Sequence, residues 1–380
     1  MQLLKKSVPP ELPPLTFVAE DALILKKMYT FADVIQKDTD MDKEIDWGSL
    51  PFGYLRTDYN VRCAFRDGKW GPIEVTDSEN VNLHMAATCL HYGQEVFEGL
   101  KAFRGKDGKI RIFRLHDNAL RIRESAKGLL MEPIPTDLFE EMCIKAVKLN
   151  ERFVPPYGSG ASLYIRPIEI GTSAQVGVNP ATEYLFIVMV TPVGPYFKGG
   201  FKNTNICIMR EYDRVAPQGT GRWKVGGNYA ASLTAGKRAH DLGYSAVLYL
   251  DPKEKKYLDE CGPANFYAIK DGKYITPKSD SILPSITNMT LMELAREMGM
   301  EVERRHITVD ELEDITEAAA CGTAAVASPV GEIDDLDTGK KYVVAKDGKP
   351  GPITTEFVRR LEAIRHGEEP DTHGWNTIVE

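Results

Sequence analysis

Hydrophobic and polar residues alternate in short runs along most of the chain, and the period of each run predicts its element. In "KAFRGKDGKIRIFR" (residues 101–114) the alternation continues on both sides of Asp107-Gly108, which predicts two short strands about a tight turn. A helix follows in "HDNALRIRESAKGLLM", with Asp117 or Asn118 as its N-cap. Thr136 caps a second helix through "LFEEMCIKAVKLN", which stops before Pro155-Pro156. "ASLYIRPIEI" and "TEYLFIVMVTP" return to strand. Farther on come the strand "NICIMR", a helix from about Asn228 to Gly243, the strand "SAVLYLD" and two strands around "LDECGPANFYAI". In "ITNMTLMELAREMGM", Leu291, Leu294, Ala295 and Met298 fall at i, i+3, i+4 and i+7 and make one apolar helix face. Strands and helices do not alternate regularly and no G-x-G-x-x-G occurs, so the pattern predicts an α+β fold rather than a doubly wound sheet.

Gly194-Pro195 and Gly199-Gly200 interrupt the pattern between strand-like runs, and residues 193–203 read as an interdomain linker. Residues 1–192 then form a smaller N-terminal α/β domain with an N-terminal arm, and residues 204–380 a larger C-terminal domain that would bind a cofactor. Composition adds exclusions. At 380 residues, 43% hydrophobic and 27% charged, the chain reads as an ordinary soluble protein. A net charge of -8 argues against nucleic acid as a partner. The six cysteines contain no C-x-x-C pair and the seven histidines no H-x-H or H-E-x-x-H, so neither a metal site nor a disulfide framework is expected. Free thiols fit a reducing, cytoplasmic compartment. "MQLLKKSVPPELPP" reads as a loose arm and not a signal peptide, and no run of 18 apolar residues predicts a membrane span.

Candidate chemistry starts at "GRWKVGGNYAAS" (221–232), where Lys224 lies between Trp223 and Val225, ahead of two glycines that permit close backbone approach. The approaching group is either protein or ligand. Ser285 in "ILPSITNMT" is a predicted N-cap that leaves the N–H groups of Ile286 and Thr287 free for an anion, as at any helix start. Thr323 lies in the small-residue turn of "CGTAAVASP", which packing alone would explain. By position, Glu260 in "LDECGPANF" is more simply a solvated hairpin residue. Tyr164 and Arg166 in "LYIRP" share one strand face, which either faces water or binds an anion. A lysine, an arginine, a helix N-terminus and a carboxylate are together what pyridoxal phosphate requires, although any chain this long contains those residue types.

"LHYGQEVFEGLKAF" (90–103), "SLYIRPIEIG", "KVGGNYAAS", "ECGPANFYAI" and "GTAAVASPV" occur in that order, and the chain from about Phe31 to the tail "HGWNTIVE" closely resembles the branched-chain amino acid aminotransferases, fold-type IV pyridoxal phosphate enzymes. The resemblance implies Lys224 as the Schiff-base lysine and proton shuttle, Tyr229 near the cofactor's phenolic oxygen and Glu260 as partner of the ring nitrogen. It implies a phosphate cradle of Arg121, Ile286, Thr287 and Thr323. For the substrate it implies Phe31, Phe97, Tyr164 and Arg166, with the Thr323-Ala324 turn for the α-carboxylate. Tyr92, Val176 and Val178 would come from a neighbouring subunit of a homodimer. The implied reaction is ping-pong exchange of an amino group between leucine, isoleucine or valine and 2-oxoglutarate.

A D-amino acid aminotransferase or an aminodeoxychorismate lyase of the same fold would share Lys224 and Glu260, but "YIRP" and "FEGLKAF" favour the branched-chain group. A non-catalytic metabolite-binding protein would need no pairing of Lys224 with Glu260. Two departures stand out. Pro263-Ala264 replaces the Thr-Met of many relatives, and Ala325 and Ser328 occupy the places of a C-x-x-C pair found in some animal relatives, which excludes thiol switching there.

Overall fold

In "NVRCAFR" the apolar Val61, Cys63 and Phe65 turn inward while the residues between them stay more exposed, the period of a strand with one buried face. The computed structural model describes residues 45–196 and 200–380. The chain divides into two units, Met1–Asp46 and Trp47–Glu380, and the fold that follows is that of the second.

The first sheet contains β1 (Asn60–Arg66), β2 (Lys69–Trp70), β3 (Glu74–Thr76), β4 (Glu95–Phe97), β5 (Leu100–Arg104), β6 (Ile110–Phe113), β7 (Ser162–Gly171) and β8 (Tyr184–Val193). The predicted hairpin is β5–β6, in register at Ala102↔Ile112, and its turn has Gly108 at φ 79° and the Asp107 carboxylate accepting the Lys109 N–H at 3.2 Å. Among these strands run α1 (Thr88–Tyr92), α2 (Leu115–Gly128) and α3 (Thr136–Leu149).

The start of α2 differs from expectation. Its N-cap is Arg114, in the left-handed region at φ 54°, and Asp117 lies inside the first turn with its carboxylate 2.5 Å from Arg114 Nε. The cause is tertiary: the Arg114 N–H donates to Trp375 O at 2.6 Å and its guanidinium to Thr290 Oγ1 at 3.0 Å, both far away in sequence. Helix α3 begins at Thr136 itself, with Pro135 before it.

After residues 193–203 the second sheet is built from β9 (Thr204–Ile208), β10 (Glu260–Cys261), β11 (Ala264–Lys270), β12 (Lys273–Pro277), β13 (Val302–Arg305), β14 (Glu317–Gly322), β15 (Val326–Asp335) and β16 (Lys340–Val343). It is antiparallel except for β12–β13 and β9–β15. The helix expected over 228–243 is two, α4 (Gly226–Ala231) and α5 (Leu233–Asp241), broken at Ser232, whose hydroxyl donates back to Tyr229 O at 2.8 Å. "SAVLYLD" forms bridges rather than a continuous strand. Leu248 N–H donates to Cys207 O at 2.8 Å, whereas Tyr249 N–H donates to Glu260 O at 3.1 Å, so the segment divides its bonds between two neighbours.

Helix α6 (Ile286–Glu297) has the predicted cap, the Ser285 hydroxyl accepting the Asn288 N–H at 3.2 Å. Helix α7 (Pro352–His366) starts with Pro352 in its first turn and with the Glu317 carboxylate accepting the N–H groups of Ile353 and Thr354. After it the chain crosses back, and β17 (Asn376–Val379) closes the edge of the first sheet against β6. Phe103 and Phe113 of the first sheet, Tyr267 and Tyr274 of the second, and Phe357 and Leu361 of α7 share one core cluster, which ties the two domains of this mixed α and β fold together.

On β7, Leu163, Ile165, Pro167 and Glu169 face away from Tyr164 and Arg166. Glu169 is fully buried, and neither of its carboxylate oxygens meets a donor in hydrogen-bonding geometry. Burial pushes its pKa up to about 8, Glu132 adds to the rise, and the Ile134 N–H offsets only part of it. Because the folded pKa is raised, the stability associated with the neutral carboxyl is complete in acid and is lost as pH rises through about 8. We expect the melting temperature to fall between about pH 5 and 8, and Glu169→Leu to flatten that slope, each pKa unit being worth ~1.4 kcal/mol. Calorimetry at several pH values tests this, and parallel curves for the two proteins would refute it.

Candidate active site

The short β4 positions the first wall. Phe97 pairs with Ile168 of β7, and its N–H donates to Lys224 O at 3.1 Å, which fixes the Lys224 loop to the sheet. The Phe97 ring lies 4.7 Å from Lys224 Nζ and 4.9 Å from the guanidinium carbon of Arg166. Arg166 donates to Tyr164 Oη at 2.9 Å, while its Nε is buried without a partner. Gly99 has to be glycine here, because a Cβ would stand 2.1 Å from Tyr164 Oη.

Lys224 is half-buried. Its N–H donates to Ser125 Oγ at 2.9 Å, and its Nζ donates to Tyr229 Oη, also at 2.9 Å. The neighbours explain the tight setting. Trp223 packs where a side chain on Gly128 would be, and a Cβ on Gly226 would stand 1.7 Å from Glu95 Oε1. Gly227, in contrast, faces open space.

Glu260 is 2% exposed, which rules out a solvated hairpin residue. Its carboxylate pairs with Arg214 Nη2 at 2.8 Å and accepts from Asn265 Nδ2 at 2.8 Å and Leu283 N–H at 3.2 Å. Burial raises its pKa to about 7, against the opposing pull of Arg214. The Asn265 side chain also meets Asn288, which bonds Tyr274 and Thr276, so one polar network joins Glu260 to the first turn of α6.

That first turn supplies donors. The N–H groups of Ile286 and Thr287 and the hydroxyl of Thr287 have no acceptor among the described residues, and the same holds for the N–H groups of Thr323 and Ala324 and the Thr323 hydroxyl. Ile286, Thr287 and Thr323 line one small cavity with Lys101. Arg121 donates twice to Glu98, at 2.7 Å each, and once to Pro284 O at 3.0 Å, which leaves two of a guanidinium's five N–H bonds unused. Arg121 and Ile286 also line a cleft of about 590 Å³. Arg123, the neighbouring arginine on α2, points instead to Ile134 O at 2.8 Å.

Tyr92, Val176 and Val178 lie elsewhere. Tyr92 Oη donates to Val176 O, and the two valines are 82% and 81% exposed, so within one chain the valine side chains face solvent rather than a packed pocket. Phe31 lies outside the described residues. Sequence reading did not single out Arg214, Glu98, Lys101 or Asn265. Lys101 is buried, its pKa is lowered to about 8 by desolvation with Arg365 adding to the effect, and its Nζ donates to Ala324 O at 3.0 Å, holding the 323–324 turn. A cation two residues after "FEG" was visible, but nothing local marked it as buried.

Residues 95–333 match the family model described as amino-transferase class IV. The branched-chain-amino-acid aminotransferase of Haemophilus influenzae is 46% identical over 345 residues, covering 89% of this chain and all of the relative. Among solved structures, the branched-chain amino acid aminotransferase of Escherichia coli superimposes with a TM-score of 0.70 at 28% identity, over 85% of this chain and 99% of that one. The Thermobaculum terrenum branched-chain amino acid aminotransferase, solved in its PLP-form, gives 0.69 at 26% identity over 86% of this chain and 100% of that one. With the buried carboxylate, the lysine–tyrosine pair and the donor cradle all on the matched segment, the chain belongs to the class IV aminotransferases and, within them, to the branched-chain-amino-acid aminotransferases.

Proposed function

We propose that the protein is a cytoplasmic homodimer that moves an amino group reversibly between L-leucine, L-isoleucine or L-valine and 2-oxoglutarate, with pyridoxal 5'-phosphate as cofactor. The observation that carries this reading is a set of unpartnered donors at the first turn of α6 that the Asn265–Asn288 pair joins to the buried Glu260 carboxylate. The free donors of Ile286, Thr287, Thr323 and Arg121 fit a phosphate dianion. Glu260, buried beside Arg214, fits a protonated ring nitrogen. When bound, the cofactor supplies an aldehyde that condenses with amines and a cationic ring that takes up the electron pair of a broken Cα–H bond.

The remaining work falls to the protein. Lys224 Nζ takes the α-proton and returns it, steadied by Tyr229 Oη at 2.9 Å. A cation opposite Glu260 joins Arg214 in favouring the ionised carboxylate, so the acid holds its charge where the ring needs it. The N–H groups of Thr323 and Ala324 receive the substrate's α-carboxylate, and Lys101 keeps that turn in place. Phe97 and Tyr164 supply apolar wall, and Arg166 meets a γ-carboxylate when the substrate is glutamate.

Several features support the wider assignment. Tyr92, Val176 and Val178 join Met85 and Leu90 among the large exposed apolar residues, a surface suited to a second copy whose residues would complete the pocket. All six cysteines are free, which fits a reducing compartment. No described helix is long and apolar enough to cross a membrane. A panel of L- and D-amino acids with 2-oxoglutarate tests the activity: the three branched L-amino acids should turn over well above the rest, and preferential use of D-alanine would overturn the proposal.

One substitution separates the two substrate classes. Arg166→Met should weaken the glutamate and 2-oxoglutarate half-reactions by at least about tenfold more than the leucine half-reaction, tenfold being ~1.4 kcal/mol. A desolvated charge pair that loses one member costs ~2–5 kcal/mol, whereas leucine loses only packing against the arginine stem. Single-turnover kinetics on each half-reaction measures the difference, and equal losses would transfer Arg166 to the shared α-carboxylate or to structure.

A further inference from the structure

Strand β4 turns two side chains toward Lys224, and the chemistry above uses only Phe97. The other is Glu95, two residues earlier and on the same face. Its Oε1 occupies the space that a side chain on Gly226 would fill, so the carboxylate lies against the Lys224 loop. It is half-buried, and no donor among the described residues reaches it in hydrogen-bonding geometry. Burial holds its pKa above the ordinary carboxylate range, and the field of Arg166 opposes that rise. Arg166 has matching spare capacity, since its Nη2 is engaged by Tyr164 but its buried Nε has no partner.

A pocket that accepts both leucine and glutamate faces a charge problem. With a dicarboxylate bound, Arg166 has a counter-ion. With an isobutyl group in the same place, the half-buried guanidinium would stand without a counter-ion. We propose that Glu95 is a specificity-determining counter-ion that balances Arg166 while an aliphatic side chain fills the pocket and competes with the γ-carboxylate when a dicarboxylate enters. This rests on the transaminase reading above. It makes Glu95 a device that favours branched-chain substrates at the expense of 2-oxoglutarate, using a carboxylate that no hydrogen bond ties down and for which Gly226 leaves room.

The test uses the holoenzyme and two non-reacting ligands that lack an amino group, glutarate and 4-methylvalerate, titrated by calorimetry. In Glu95→Gln, which keeps the volume and removes the charge, glutarate should bind more tightly and 4-methylvalerate more weakly, changing the ratio of their dissociation constants by at least about tenfold. Glu95→Asp, which keeps the charge, should stay within about threefold of the wild-type ratio. An unchanged ratio in Glu95→Gln, a parallel change in both constants, or an aspartate variant that behaves like the glutamine one would each overturn the counter-ion role while leaving the transaminase reading intact. Failure of the wild-type holoenzyme to bind either ligand would overturn both.

Discussion

Replacing Lys224 with alanine is expected to lower turnover of leucine by at least roughly 10⁴-fold, the upper range for loss of a positioned general acid or base, because in the proposed mechanism the same amine is also the covalent anchor. The fold should survive. The side chain makes one hydrogen bond, to Tyr229 Oη, while the backbone bonds that hold the loop, Lys224 N–H to Ser125 Oγ and Phe97 N–H to Lys224 O, do not depend on the residue's identity. Circular dichroism and melting temperature should therefore stay near wild-type while the visible absorption band of a lysine-linked cofactor disappears. Turnover within about tenfold of wild-type would remove Lys224 from the chemistry, and a collapsed melting curve would show that packing, not proton transfer, had selected it.

Glu260→Gln should slow α-proton removal by about 10²-fold or more, since a neutral amide cannot hold a proton on the ring nitrogen. The substitution also has a cost unrelated to catalysis. Arg214, 2.8 Å from the Glu260 carboxylate, would be left buried beside an amide, and breaking one member of such a pair typically costs ~3–5 kcal/mol. The two effects separate experimentally. Melting of the cofactor-free protein reports the orphaned arginine, and the single-turnover rate with α-deuterated leucine reports the proton step. A destabilised variant with an unchanged proton-removal rate would mean that Glu260 serves only to neutralise Arg214.

The contrast between these two residues shows what a sequence can disclose. Lys224 announced itself, because an isolated lysine among Trp223, Val225 and paired glycines is unusual company for a cation. Glu260 did not, because hairpin acids are common, and only its burial against Arg214, 46 residues earlier in the chain, sets it apart from them. Motif order supplied what local physics could not. The turn at Asp107-Gly108 and the Ser285 cap were legible because each depends on neighbouring residues alone. The start of α2 was not, because Trp375 decides it, and "SAVLYLD" misled because its apolar run is real while its hydrogen bonds go to two different partners. Lys101 and Arg214 escaped notice for the same reason as Glu260: their importance lies in burial and in distant contacts.

The last strand of the described residues, β17, bears on synthesis. Strand β6 leaves the ribosome long before β17, and among the described residues its outer edge pairs only with β17. Until translation has passed through the whole second sheet, that edge remains an unsatisfied row of backbone groups on the nascent chain. Premature termination or a bulky carboxy-terminal fusion would leave it open in the released chain. The first sign of such damage would be sticking between copies through β6, visible as loss from the soluble fraction before any change in the chemistry around Lys224.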